Sequence, residues 1–280
     1  MLTPKDYLYF YRVLNWENKV SGTRPIGYTV LGFLMAGNPD FLRLLFLCLA
    51  ELGALMCTYA LNDYFDWKIQ KERNFLSSKI QEKQLTEKHA LFLAWIPATL
   101  CVFIVFVGSP LPMVLFLSGV LLVLFYSSPP LRLKEKGILG FLVPPIAIFI
   151  HFLRAYLIFN VIGSEIIFLS VLIFLFQGYL EILHVLGDSQ VREEIVKIRL
   201  GNALKLLRYF PLASALFSVV FALWNPIFLV STVFSFVRLR ALAGFKIEHI
   251  RRIRINLLSP KLSLYEFGAY GILGWLGWFR

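Results

Sequence analysis

The sequence has few charged residues and few cysteines. Only 16% of its 280 residues are Asp, Glu, Lys or Arg, whereas 58% are hydrophobic, and the mean hydropathy is +0.71. This composition excludes an ordinary soluble domain. The three cysteines, Cys48, Cys57 and Cys101, lie in apolar runs without paired or metal-ligand spacing. They indicate neither a disulfide framework nor a zinc site, and we expect them to pack among apolar side chains.

The start of the chain lacks the pattern of a cleaved signal peptide, which needs a basic region, a short apolar core and a small-residue cleavage site. Long apolar segments are present instead. Segments of about 20 residues recur, long enough to cross a hydrocarbon core of about 30 Å as helices. They do not alternate in polarity as the strands of a membrane barrel would.

We therefore predict an all-α polytopic membrane protein with nine transmembrane helices in one bundle around a central cavity. The predicted helices lie near 12–36, 41–67, 88–108, 111–126, 138–160, 164–187, 201–222, 224–238 and 264–279. We expect one domain over residues 1–280, made of two related four-helix halves (roughly 12–126 and 138–238) and a final helix.

The distribution of basic residues predicts the orientation in the lipid bilayer. The Lys and Arg residues that give the net charge of +11 lie almost entirely in alternate loops and the adjoining helix ends. The connections between them, near 37–40, 109–110, 161–163 and 223, carry almost no Lys or Arg. By the positive-inside rule, the N-terminus and the basic loops are cytoplasmic. Because the positive charge is divided among separate loops, we do not expect a nucleic-acid partner.

Polar residues at the end of the second predicted helix are the first candidate site. Asp63 and Asp66 are three residues apart and share one side of a helix, next to Asn62. An ionisable group at the edge of the hydrocarbon is costly and therefore indicates function. Two carboxylates and an amide oxygen are ligands that Mg²⁺ prefers, and Mg²⁺ commonly keeps positions open for phosphate oxygens.

A second acidic helix end occurs four helices later. Glu181, His184 and Asp188 share one helical face, and the predicted topology places them on the same side of the membrane as Asp63. Facing clusters of this kind predict a site for a metal-bound diphosphate, in which Mg²⁺ would stabilise the leaving group. Basic side chains in the cytoplasmic loops would add charge-assisted hydrogen bonds: Lys68, Arg73, Lys79, Arg132 and Lys134.

Two further features allow alternative interpretations. The loop from Tyr126 to Lys134 contains Pro129-Pro130 and several donors; it is either a rigid turn or part of the site. In the fifth predicted helix, His151 and Arg154 lie on one face. His151 would bond a neighbouring helix and Arg154 would extend to the outer surface, or both would line the acceptor end of the cavity.

Several motifs resemble those of the UbiA family of intramembrane prenyltransferases. Asn62-Asp63-x-x-Asp66 is similar to that family's first aspartate-rich motif, and Tyr126-Ser-x-Pro129-Pro130-x-Arg132-x-Lys134 is similar to its loop after helix four. Arg12-x-x-Asn15 resembles the family's Arg-Pro-x-Asn, with Val13 in place of Pro. Gly187-Asp188 through Gly201 keeps the spacing of the second motif region.

The resemblance implies Mg²⁺-dependent transfer of an isoprenyl group from a prenyl diphosphate to a hydrophobic, often aromatic, acceptor, such as a precursor in quinone biosynthesis. It implies catalytic roles for Asp63, Asp66 and Asp188, and metal binding by Asp63, Asp66, Glu181 and Asp188. The implied substrate-binding residues are Asn62, Lys79, Tyr126, Arg132, Lys134, Arg12, Asn15, His184 and Arg192.

The chain departs from the family's pattern at several positions. Gln70 stands where the family has a third acid, and His184 is a poor ligand for Mg²⁺, which prefers oxygen. After the second motif, Arg192 and Glu194-Ile195 replace a Gly and a basic-Thr pair. These changes leave several alternatives: one Mg²⁺ instead of two, Arg192 in place of a metal's charge, an altered donor such as a sugar diphosphate, or a non-catalytic protein that binds a prenyl or sugar diphosphate.

Overall fold

The structure is a computed structural model that describes residues 2–12, 24–37, 40–105, 110–136, 138–161, 163–189, 200–243 and 260–278. These residues form eleven α-helices and no strand, which confirms the predicted all-α class. The helices are α1 (Pro4–Phe10), α2 (Arg24–Ala36), α3 (Phe41–Gln70), α4 (Phe75–Gln81), α5 (Glu87–Val105), α6 (Pro110–Ser127), α7 (Ile138–Leu157), α8 (Ser164–Ser189), α9 (Leu200–Ala222), α10 (Leu229–Ala241) and α11 (Pro260–Trp275).

Each of the nine predicted segments overlaps one of these helices, and α1 and α4 are short additional ones. Within the described residues, four helices are long and apolar enough to cross a membrane: Phe41–Gln70, Leu139–Leu157, Ser164–Leu183 and Lys205–Ala222. The number of nine crossings therefore stays a prediction. The first predicted segment is helical only from Arg24 onward in the described residues, close to Pro25.

The chain divides into two compact units, and the first contains the first acidic motif. It comprises Met1–Phe33, Pro39–Val143 and Ile150–Phe159. Helices α3 and α5 form its most extensive packing. Small side chains at this contact, Ala60 of α3 with Ala90 and Ala94 of α5, are fully buried. Small residues let membrane helices approach closely, which fixes the position of the polar end of α3 against α5.

Helices α1 and α4 lie beside the polar end of α3 and have well-formed N-terminal caps. Thr3 and Asp6 form a capping box on α1, and Asn74 and Ser77 form one on α4. Asn74 also donates from Nδ2 to the backbone carbonyl of Asp63, at 2.8 Å. Through this bond Asn74 ties α4 to the motif itself.

The second unit comprises Leu34–Asn38, Pro144–Phe149 and Asn160–Arg280. Its described helices pack through aromatic rings, of which Phe168 and Phe221 stack with centroids 4.2 Å apart. The carboxylate of Glu266 is buried there, ion-paired with Arg238 and hydrogen-bonded by Ser231 Oγ at 2.6 Å. The predicted relation between two four-helix halves stays a prediction.

Candidate functional site

Asp63, on the last turns of α3, is bound by Arg12 from the segment after α1. Arg12 Nε donates to Asp63 Oδ2 at 2.9 Å, and Arg12 Nη2 contacts Asp63 Oδ1. Both oxygens of the carboxylate are thereby engaged by one guanidinium, the two-pronged geometry that arginine provides and lysine does not. The same guanidinium lies 5.4 Å from the ring centre of Tyr59, one turn deeper on α3.

Asp66 is bound by both basic residues of the loop that follows α6. Lys134 Nζ contacts its Oδ1, and Arg132 Nη2 lies 3.3 Å from the same oxygen. The other oxygen, Oδ2, accepts from Asn62 Nδ2 at 2.9 Å. The structure therefore brings this loop together with the first motif.

Asn62 connects the motif to the loop through its amide oxygen. Oδ1 accepts from Lys134 Nζ at 3.1 Å and from Ser127 Oγ at 2.9 Å. Ser127 is buried at the end of α6. Its position after Tyr126 in the proline-containing loop is the only sequence signal that pointed to it.

Glu135 is a member of the site that the sequence interpretation missed. Its Oε1 accepts from Arg132 Nε at 2.6 Å and from Gln70 Nε2 at 2.9 Å. Gln70 stands at the position of the family's third acid, and here its amide binds a carboxylate supplied by the loop. The spacing of three residues between Arg132 and Glu135 was a signal that could have indicated this ion pair.

These residues form what we call the first-motif cluster: Arg12, Asn62, Asp63, Asp66, Gln70, Ser127, Arg132, Lys134 and Glu135. It contains three cations and three carboxylates, so its charges balance. Two of the cations, Arg12 and Arg132, have left-handed backbone, with φ of 56° and 36°. Such backbone costs a non-glycine residue about 1–3 kcal/mol and recurs at functional sites.

The donors of the first-motif cluster fit Mg²⁺ chemistry, because its acidic ligands are hard oxygens. Among the described residues, no group of three His, Cys, Asp or Glu side chains is close enough to hold a metal ion. Proteins usually bind Mg²⁺ through one or two carboxylates together with substrate phosphates. Asp63 and Asp66 are therefore better suited to bind Mg²⁺ together with a diphosphate than to bind Mg²⁺ through protein ligands alone.

Two other predicted substrate-binding residues lie in the first unit. Lys79 of α4 is 3.3 Å from Asp6 Oδ1 and donates to Gln84 Oε1 at 3.0 Å, so its ammonium has protein partners away from the motif carboxylates. Tyr126, at the end of α6, is half-buried and also takes part in an interaction.

The residues of the second motif are described only in part. Glu181 is a half-buried residue of α8 with an interaction partner. His184 and Asp188 continue the same helix, but their side chains lie outside the described residues, as do Asn15 and Arg192 entirely. The convergence of the two acidic helix ends therefore stays a prediction.

A separate polar cluster lies deeper along α3, within the first unit. Glu51 is fully buried; its Oε1 contacts Arg154 Nη2 and accepts from Thr29 Oγ1 at 3.1 Å, while His151 Nδ1 lies 2.7 Å from its Oε2. Arg154 is fully buried, with its guanidinium 5.0 Å from the ring centre of Phe116. The interpretation of Arg154 as extending to the outer surface is therefore wrong, because Glu51 balances its charge inside the protein.

Comparison with known proteins gives one family and several solved structures. The UbiA prenyltransferase family matches residues 26–256. A UbiA homolog from Archaeoglobus fulgidus bound to GPP and Mg²⁺ is 14% identical, with a TM-score of 0.75 over 97% of this chain and 99% of that one. The same homolog bound to DMAPP and Mg²⁺ is 16% identical, with a TM-score of 0.70 over 98% of each chain.

A structure of digeranylgeranylglyceryl phosphate synthase is 16% identical, with a TM-score of 0.74 over 97% of this chain and 98% of that one. At these identities the likeness shows a shared fold. No curated protein sequence matches the chain significantly. The family match and the long apolar helices together make this chain an integral membrane protein.

Proposed function

We propose a prenyl-transfer function from one premise: this chain belongs to the UbiA prenyltransferase family. Its donor is a prenyl diphosphate, and its acceptor is a hydrophobic or aromatic molecule that reaches the site from the bilayer. Homologues of the same fold bind GPP or DMAPP together with Mg²⁺, which supports a short allylic diphosphate as the kind of donor to test first.

The observation that carries this proposal is the contact of three cations with the two carboxylates of the first motif. Arg12 binds Asp63, while Arg132 and Lys134 bind Asp66. A diphosphate offers oxygens for those cations, and its Mg²⁺ offers a charge for the carboxylates. Binding of the Mg²⁺–diphosphate complex would replace these internal ion pairs with ion pairs to the complex. No buried charge would then be left unpaired, and an unpaired buried charge is strongly destabilising.

In the proposed reaction, the C1–O bond of the allylic diphosphate breaks, a C1–acceptor bond forms, and the proton that the acceptor loses passes to the released diphosphate. Arg12, Arg132 and Lys134 donate hydrogen bonds to the oxygens on which negative charge develops. When bound to Asp63 and Asp66, Mg²⁺ supplies further charge stabilisation to the leaving diphosphate. Asn62 holds Lys134 and Asp66 in the orientation that this requires.

The second motif completes the proposed site from α8. Asp188 is a ligand for the metal and Glu181 is a further one, while His184 and Arg192 contact the diphosphate. We also propose that Asn15, Tyr126 and Lys79 bind the substrate. Lys79 would first have to exchange its contact with Asp6 for one with the substrate. By the distribution of basic loops, the site opens toward the cytoplasmic side.

A second candidate is a protein that binds a prenyl or sugar diphosphate without turnover, or that uses an altered donor. The bond between Gln70 and Glu135 favours it, because the position of a third acidic ligand here makes an internal hydrogen bond. The two candidates differ in one respect that can be measured: only the first predicts release of diphosphate in the presence of an acceptor.

The test uses the full chain purified in lipid nanodiscs, with GPP, Mg²⁺ and a panel of aromatic and lipid acceptors. We expect diphosphate release that requires Mg²⁺, disappears in Asp63→Asn and persists in Asp40→Asn. Asp40 is a matched control because it lies on the same helix at its opposite end, where it caps the N-terminus. Full activity of Asp63→Asn would refute the assignment, and binding of GPP without release would favour the second candidate.

A further inference from the structure

The cluster of Thr29, Glu51, His151 and Arg154 is not used by the proposed chemistry, although it places charges deep inside a membrane helix bundle. Ionisable groups at such depth are expensive and rare, and they usually mark a function. Thr29, Glu51 and Arg154 are 0% exposed. In the part of the chain that the structure describes, Arg154 Nε and Nη1 have no hydrogen-bond partner.

Glu51 lies on the same face of α3 as Asn62 of the first-motif cluster. The two residues are eleven positions apart on one continuous helix. Eleven residues make three turns with a residual rotation of about 20°, and they span about 16 Å along the axis. A molecule bound by its diphosphate at Asn62 and extending into the membrane along this face would therefore meet Glu51.

The residues between these two positions are suited to an apolar tail. Ala54, Leu55 and Thr58 lie along the same face. Ala54 and Thr58 are half-buried, whereas Leu55 is buried and Glu51, beyond them, is fully buried. Thr58 satisfies its hydroxyl on the carbonyl of Ala54, at 2.7 Å, so it presents no free donor. Tyr59 lies under the guanidinium of Arg12, which places the upper end of this face next to Asp63.

We infer that the cluster of Thr29, Glu51, His151 and Arg154 closes the far end of the site for the donor's tail and limits that tail to about three isoprene units. An extended isoprene unit adds four C–C bonds, about 5 Å in length. Three units therefore extend about 15 Å, close to the distance of about 16 Å along the helix. This inference rests on the proposed function and adds the length class of the substrate.

The cluster can act as a firm end because it is both packed and ion-paired. A fourth isoprene unit would have to separate Glu51 from Arg154 or Thr29, and hydrocarbon offers no group to replace the lost partners. If apolar side chains lined the far end of the site, they would instead make room for a longer tail by changing rotamer. Ala54 packs against the buried cluster of Ala50 and Phe116, and the Phe116 ring lies beneath the Arg154 guanidinium. The end of the proposed site and the wall beside it therefore belong to one packed region.

The test measures binding of non-hydrolysable thiolodiphosphates with five, ten, fifteen and twenty carbons to the full chain in nanodiscs with Mg²⁺. We expect affinity to rise up to the fifteen-carbon analogue and to fall at least tenfold for the twenty-carbon one. Equal or tighter binding of the twenty-carbon analogue overturns the inference and leaves the proposed function intact. Binding of none of the four overturns both.

Two variants test the path of the tail independently of the charged cluster. Ala54→Leu and Thr58→Met add volume to the proposed path. In each variant the fifteen-carbon analogue, and not only the twenty-carbon one, should bind more weakly, while the affinity for the five-carbon analogue is unchanged. Leu49→Ala is the control, because Leu49 is an exposed residue on another face of α3. An unchanged length profile in both Ala54→Leu and Thr58→Met, with folded protein, contradicts the inference.

Discussion

Arg12 and Asp63, separated by 51 positions in the sequence, form a two-pronged ion pair at the polar end of α3. Arg12 therefore engages both oxygens of the carboxylate that we propose as a metal ligand. Loading of Mg²⁺ and diphosphate then requires an exchange in which the guanidinium moves from the carboxylate to a phosphate oxygen. Arg12 has a left-handed backbone conformation, which fixes the direction in which its side chain leaves the backbone.

The exchange predicts a large effect of Arg12→Lys on donor binding. Lysine keeps the charge and loses the fork geometry. A hydrogen bond to a charged group contributes about 1.5–3 kcal/mol, so the dissociation constant for GPP with Mg²⁺ should rise by roughly 10- to 100-fold. Arg43→Lys is the control, since Arg43 is an exposed residue at the other end of α3. Unchanged affinity in Arg12→Lys would mean that Arg12 does not contact the donor.

Glu135 should act by holding Arg132. Burial pushes the pKa of Glu135 upward, but hydrogen bonds from Arg132 and Gln70 outweigh it, and the net pKa is lowered. A carboxyl with a lowered pKa stays ionised above its ordinary value of about 4.3, so the contact should persist over an assay range of about pH 5.5–8.

We therefore expect Glu135→Ala to raise the KM for the donor several-fold with little change in kcat, and Glu135→Gln to recover part of the loss. The carboxylate is half-exposed, which keeps the effect modest. Steady-state kinetics of diphosphate release would measure it. A fall in kcat without a change in KM would contradict a role in positioning Arg132 for substrate binding.

The meeting of α3 with the loop after α6 was predictable, because both carry motif residues at characteristic spacing. Arg132 and Lys134 both contact Asp66. The partner of Arg154 was not predictable, since Glu51 lies in a separate apolar run and only the three-dimensional arrangement of the chain brings the two side chains together. Glu135 was missed for a related reason: it lies one residue beyond the motif.

In the second unit, the buried pair of Arg238 and Glu266 should be important for stability. Arg238→Met leaves Glu266 buried without its cation, which costs about 3–5 kcal/mol when a buried pair is broken. We expect a clear drop in Tm in detergent and a partial return in the double variant with Glu266→Gln. The ring of Phe176, 4.5 Å from the guanidinium, remains to pack against the methionine. A Tm equal to that of the wild type would contradict the importance of the pair.

The proposed orientation can be tested by introducing one additional cysteine at a time. Lys83→Cys, in the turn after α4, should be protected from a membrane-impermeant maleimide in intact cells. Val161→Cys, between α7 and α8, should be labelled, because Val161 is 79% exposed in a connection predicted to be outside. The wild-type chain, with its own three cysteines, gives the background. The reverse pattern of labelling would invert the topology.

The proposed function depends most on the proposed binding of one divalent ion, together with a diphosphate, by the acidic ends of α3 and α8. The direct measurement is electron paramagnetic resonance of Mn²⁺ in place of Mg²⁺, with a thiolodiphosphate analogue and the full chain. We predict a bound Mn²⁺ signal that needs the analogue and is lost in both Asp63→Asn and Asp188→Asn, while circular dichroism stays helical. Retention of the bound signal in either folded variant would contradict the shared site.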